Sequence, residues 1–129
     1  MENKLHIFLI CPVRNATEEQ KQRMAKYIAY VESLGAVIHY PERDTEQDDP
    51  TGGSMICKVN RRAIYDSDEV HIFWDSKSQG SLFDLGMAFA LCKPIKIVNI
   101  DELERTDGKS FTNVVYNWSV IGPGKINDV

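Results

Sequence analysis

EVHIFWDSKSQGSLFDLGMAFALCKPIKIVNI, residues 69–100, reads as strand, loop, helix and strand in turn. The apolar run EVHIFW fits a strand and DSKSQGS a loop; a helix follows from about Ser81 to Leu91, a proline ends it, and IKIVNI is the next strand. Strands that alternate with helices in this way build a parallel sheet through right-handed crossovers, with helices on both faces.

The rest of the chain repeats the alternation. HIFLIC (6–11) is almost continuously apolar, as a strand covered on both sides requires. Met24, Tyr27, Ile28, Val31 and Leu34 then recur at helical spacing, with Thr17 and Gln20 as a capping box and Gly35 as the stop. AVIHY (36–40) is a short strand, and the acid-rich PERDTEQDDPTGG (41–53) has the composition of a mobile loop or lid. Met55, Ile56, Val59, Ala63 and Ile64 mark a helix from Ser54 to Tyr65, and KSFTNVVYNWSVIG (109–122) a last one capped by Ser110. The expected fold is α/β, a single flavodoxin/Rossmann-like three-layer domain over residues 1–129, with a mainly parallel sheet of four to five strands.

Size and charge narrow the class. With 129 residues and 43% hydrophobic composition there is enough apolar material for one core. A net charge of −4 with interspersed signs leaves no basic stripe for a phosphate backbone, so nucleic acid is not an expected partner. Cys11, Cys57 and Cys92 are odd in number and widely spaced, which fits thiols of a reducing compartment rather than a disulfide framework. Leu5 to Cys11 is too short to span a membrane and lacks a signal-peptide cleavage site, so the expected location is the cytoplasm.

Ligands of open α/β sheets bind outside the carboxyl ends of the strands. Two loops qualify: CPVRN after the first strand, with Arg14 and Asn15 near a helix start suited to an anion, and DSKSQGS leading to Asp84. In the first turn of its helix Asp84 would stay ionised, and an ionised carboxylate at a pocket wall is a nucleophile. The competing reading is an S-x-x-D capping box of Ser81 and Asp84 that only starts the helix.

GSLFDLGMAFALCKPIKIV resembles the signature of the nucleoside 2-deoxyribosyltransferase family, in which a glycine and then an acidic residue precede Leu-Gly and a small-residue helix. The order of elements is similar over roughly residues 5 to 100. The resemblance implies cleavage of an N-glycosidic bond, Asp84 attacking the anomeric carbon to give a glycosyl ester that water or a second base resolves. Six positions before the nucleophile, deoxyribosyl-transferring members carry an acid and members hydrolysing nucleoside 5′-monophosphates carry Ser; here Ser78 stands there. VRN resembles the Ile-Arg-Gly stretch that grips phosphate in those hydrolases, so the site pattern is closest to the monophosphate N-glycosidase branch. Arg14 would hold the phosphate by a charge-assisted pair.

By this resemblance Asp84 and Asn60 fall to catalysis, and Phe8, Arg14, Asn15, Ser78, Gly80, Ser81 and Ser110 to the substrate. Three positions depart from the family: Asp84 where Glu is usual, Asn60 where an Asp positions or protonates the substrate, and Phe8 where Tyr is frequent. Asp66, Asp68 and Asp75 are the acids that would compensate. His6, His39 and His71 share no metal spacing, and no metal or redox cofactor is implied. Trp74 reads as a core or edge aromatic. The implied partner is a nucleoside or nucleotide, within a homodimer or larger homo-oligomer for which the Trp118-bearing tail offers apolar surface. The second reading is a nucleotide-binding or sensing module without turnover; the third, a flavodoxin-like interaction domain without a small ligand.

Overall fold

The computed structural model describes residues 3–12 and 16–128. Four strands, β1 (His6–Ile10), β2 (Val37–His39), β3 (Glu69–Ile72) and β4 (Ile95–Ile97), pair in the order β2-β1-β3-β4, every pair parallel. Helices α1 (Glu18–Ser33), α2 (Pro41–Asp44), α3 (Ser54–Asp66), α4 (Gln79–Ala90) and α5 (Phe111–Ile121) fill the connections. The fold is thus the α/β architecture with a four-stranded parallel sheet that the alternating pattern implied.

Alternate residues of β1 feed two cores, which is why HIFLI is apolar throughout. Ile7 and Leu9 pack with Met24, Ile28 and Val31 of α1. Phe8 and Ile10 pack with Ile64 of α3, Leu85 and Ala88 of α4, and Val115 and Trp118 of α5. One helix therefore covers one face and three long helices the other. The chain changes direction between β1 and β3, and the loops leaving those two strands part at that point, where α/β sheets hold their ligands.

Local signals held where they were strongest. Gln20 N donates to Thr17 Oγ1 at 3.1 Å and Thr17 N to Gln20 Oε1 at 2.9 Å, closing the capping box of α1. Ser110 caps α5 by accepting from Asn113 N at 3.0 Å.

Three expectations need correction. The 41–53 segment is anchored rather than a free lid: Thr45 is 4% exposed, and Asp49 accepts from Thr51 N at 2.7 Å and Ile56 N at 3.0 Å, tying the loop to the start of α3. Helix α4 starts at Gln79 with Ser78 as its cap, Ser78 Oγ accepting from Ser81 N at 3.2 Å. The Ser81–Asp84 pair is therefore not the capping box, and Asp84 sits past the first turn, beyond the strongest pull of the helix dipole. Trp118 is buried, its indole N–H donating to Lys93 O at 2.8 Å, so the apolar surface of α5 is offered by Phe111, Val120 and Ile121 instead.

Candidate active site

Asp84 projects from α4, whose Leu85 and Ala88 anchor it on the sheet while α3 packs alongside. That packing removes part of the water from the carboxyl, which stays half-buried. Burial raises the pKa of Asp84 to about 6, and a side-chain hydrogen bond from Asn60 opposes the rise. The expectation of a fully ionised carboxylate is corrected accordingly: near neutral pH Asp84 is ionised but poised close to its titration.

Asn60 lies in the middle of α3 and is 5% exposed. A polar side chain at that depth needs partners, and Asn60 Oδ1 accepts from Thr45 Oγ1 at 2.8 Å while its amide meets Asp84. Thr45 Oγ1 in turn lies 2.8 Å from His39 Nε2 at the end of β2. Phe8 is fully buried and stacks on His39, ring centroids 5.4 Å apart and planes 10° apart. Phe8 thus meets the site through His39 and not as an open wall.

Beyond β1, Cys11 is buried, and desolvation lifts its thiol to about 12, with a hydrogen bond to Tyr40 opposing and the nearby charges of Glu42 and Asp84 adding to the rise. Tyr40 follows β2 and donates its hydroxyl to the Glu42 carboxylate, and burial together with that bond pushes its pKa far up. Cys11, Tyr40 and Glu42 therefore gather on the β1–β2 side of Asp84. Nothing in their sequence spacing announced it; the only available signal was that Cys11 and Tyr40 lie where strands end.

The remaining candidates divide. Arg14 and Asn15 lie outside the described residues. Ser78 uses its oxygen to cap α4 and keeps its hydroxyl proton for another acceptor. Ser81 is 3% exposed, and its Oγ has no hydrogen-bond partner among the described residues. At Gly80 an added Cβ would meet nothing within 4 Å, so the start of α4 is open on that side. Ser110 serves as a cap on α5, which packs on β4 at the opposite edge of the sheet from β2.

None of the acids proposed to compensate for Asn60 turns to Asp84. Asp66 pairs with Arg62 at 2.9 Å, Asp68 accepts from His6 N at 2.8 Å, and Asp75 accepts from Lys77 N at 2.9 Å. Trp74 is a core aromatic and donates its indole N–H to Thr112 at 2.9 Å, at the start of α5. A cleft of about 550 Å³ opens beside the loop after β3, lined by Arg23, Phe73, Lys77, Asn99 and Glu102; Asp84 is not on its lining. Among the described residues no group of three His, Cys, Asp or Glu side chains stands together as a metal site, and no helix is long and apolar enough to cross a membrane.

Comparison with known proteins now bears on this geometry. The family model of nucleoside 2-deoxyribosyltransferase matches residues 7–116. No curated protein sequence matches the chain. Among solved structures, the 2-deoxyribosyltransferase of Bacillus psychrosaccharolyticus superposes with a TM-score of 0.59 at 20% identity, over 71% of this chain and 70% of that one. The CMP N-glycosidase BcmB of Clostridium botulinum gives 0.52 at 26% identity, over 71% of this chain and 66% of that one. A conserved protein of Enterococcus faecalis V583 gives 0.61 at 13% identity, over 94% of this chain and 79% of that one. With most of its length matched by the family model, the chain belongs to the nucleoside 2-deoxyribosyltransferase family, and the chemistry this indicates is glycosyl transfer or N-glycosidic bond cleavage of nucleosides or nucleotides.

Proposed function

We propose that the protein cleaves the N-glycosidic bond of a nucleoside or nucleoside 5′-monophosphate with Asp84 as its nucleophile. The observation that carries this reading is the half-buried Asp84 carboxyl with the buried Asn60 side chain as its hydrogen-bond partner, where the strands end. In the first step a carboxylate oxygen bonds to the anomeric carbon, the carbon–nitrogen bond breaks, and its electron pair leaves with the base, which takes up a proton. In the second, water or another base attacks the same carbon and releases Asp84. Partial desolvation favours the attack, since a carboxylate stripped of water is a stronger nucleophile than one in bulk solvent.

Arg14 and the free hydroxyl proton of Ser78 would bind a 5′-phosphate, and Asn15, Gly80 and Ser81 would border the sugar. Ser78 at position −6 from Asp84 and the 26% identity to a CMP N-glycosidase support the monophosphate branch. Phe8 and Asn60 act from behind the carboxylate. We assign the protein to the cytoplasm as a homodimer or larger assembly, for which Phe111, Val120 and Ile121 supply exposed apolar area. Ser110 is the weakest of the phosphate candidates because α5 already uses it as a cap.

The test is chromatographic analysis of products after incubation with a panel of nucleosides and their 5′-monophosphates. Free base from wild type and none from Asp84→Ala is the expected result, with monophosphates preferred. An Asp84→Ala variant that released base as fast as wild type would overturn the reading. A second reading, a nucleotide-binding module without turnover, is favoured by one observation: the amide of Asn60 faces Asp84 where a proton-donating acid would serve the leaving base. Nucleotide bound in calorimetry with no base released from any member of the panel is the outcome that selects it.

A further inference from the structure

We propose that His39 and Thr45 are positioning residues of the Asp84 site: with Asn60 they form one directional chain of hydrogen bonds that turns the Asn60 amide N–H toward Asp84, and Phe8 holds the His39 ring that starts it. The role assigned to this chain rests on the function proposed above for Asp84; its existence does not.

The direction follows from counting protons. Thr45 Oγ1 donates to Asn60 Oδ1 at 2.8 Å, and a hydroxyl has only one proton to give. The second contact of that oxygen, 2.8 Å to His39 Nε2, must then be one in which the imidazole N–H donates. With Oδ1 engaged by Thr45, the Asn60 group left for Asp84 is the NH2. The opposite polarity would aim Asn60 Oδ1 at the carboxyl, two acceptors face to face unless Asp84 carried a proton. An ionised Asp84 thus requires His39 in its Nε2–H form.

Packing makes the chain rigid. Thr45 and Asn60 are 4% and 5% exposed, so neither is free to exchange its partner for water. Phe8, fully buried, lies nearly parallel to the His39 ring and fixes its plane. His39 is neutral near pH 7 because burial depresses its pKa, with Asp44 opposing and Arg43 assisting. Among the described residues the thiol of Cys11 is a further titratable group near Asp84, held protonated by burial. The departures Phe8 and Asn60 belong, on this view, to a single device: an amide that has a fixed donor direction replaces an acid, and an aromatic ring supports the histidine that sets the direction.

The experiment reads the Asp84 side-chain carboxyl by carbon NMR across pH, together with the nitrogen spectrum of His39 in wild type. Wild type should half-titrate near 6 with His39 in its Nε2–H form. Thr45→Val, which keeps shape and removes the hydroxyl, should raise the Asp84 midpoint by about one unit, the effect of losing one charge-assisted hydrogen bond. Thr45→Ser should restore the wild-type midpoint, which a merely space-filling role for Thr45 would not do. An unchanged midpoint in Thr45→Val, or a wild-type His39 protonated on Nδ1 alone, would overturn the inference; the second readout needs no variant to fold. Neither readout depends on turnover. Failure of Asp84→Ala to abolish cleavage would therefore sink the proposed reaction while leaving the chain intact.

Discussion

Replacing Asp84 by Asn removes a carboxyl whose pKa burial lifts from 3.8 to about 6. An acid with a raised native pKa binds its proton more tightly folded than unfolded, so its cost to stability is absent below about pH 4, grows between 4 and 6, and is complete above 6. Asp84→Asn should therefore stabilise the protein by about 3 kcal/mol at pH 8 in urea titrations, with the gain gone at pH 4, while turnover is lost. No gain at pH 8 would mean that the carboxyl is solvated. Ser81 makes a related case, because its buried hydroxyl has no partner among the described residues. Ser81→Ala should leave stability unchanged or raise it by up to about 1 kcal/mol, and a loss above 1 kcal/mol would reveal a partner that the free hydroxyl conceals.

Helix α4 carries Asp84, and Ser78 holds its first turn. Removing that cap in Ser78→Ala should cost about 1 kcal/mol of stability. Ser78→Asp separates the cap from the proposed phosphate contact: Asp caps as well as Ser, yet its charge repels a phosphate. The expected outcome is wild-type stability with the preference for monophosphates over nucleosides lost, measured as the ratio of kcat/KM values. Retained preference would remove Ser78 from the phosphate site. At this scale the sequence was informative wherever a residue acts on its own helix, as Thr17, Gln20 and Ser110 do. It misassigned the cap of α4 because Ser78 and Ser81 both suit an N-cap, and only the backbone path after β3 selects between them.

Over the whole molecule, two histidines set the response to acid. Desolvation depresses the pKa of His39, and of His71, which is buried between Tyr27 (2.5 Å) and Glu69 (2.6 Å). A histidine with a depressed native pKa favours folding fully above its unfolded value of about 6.5, and the benefit is lost as pH falls below it. Asp84 acts in the opposite sense between about 6 and 4, one group against two. Stability should thus decline from pH 7 to pH 5 in urea unfolding, more steeply in Asp84→Asn, which lacks the opposing carboxyl; a flat profile would mean that both imidazoles protonate freely in the native state.

What the sequence determined by itself was set by neighbours along the chain: the alternation of strand and helix, hence the parallel sheet, and the motif around Asp84 that marks the family. Its apolar periods marked Met24, Ile28, Val31 and Ile64 for the core, but Leu34, Met55 and Val59 of the same series stay exposed. The tertiary structure decided which polar groups meet. Asn60, Thr45 and His39 come from α3, the segment after α2 and β2, and no spacing in the sequence brings them together at Asp84. It also decided how close to neutral pH Asp84 titrates, which the helix position alone did not show. Local pattern acts within a few residues, whereas desolvation depends on what distant segments pack against a carboxyl, and that is settled only when α3 and α4 lie side by side on the sheet.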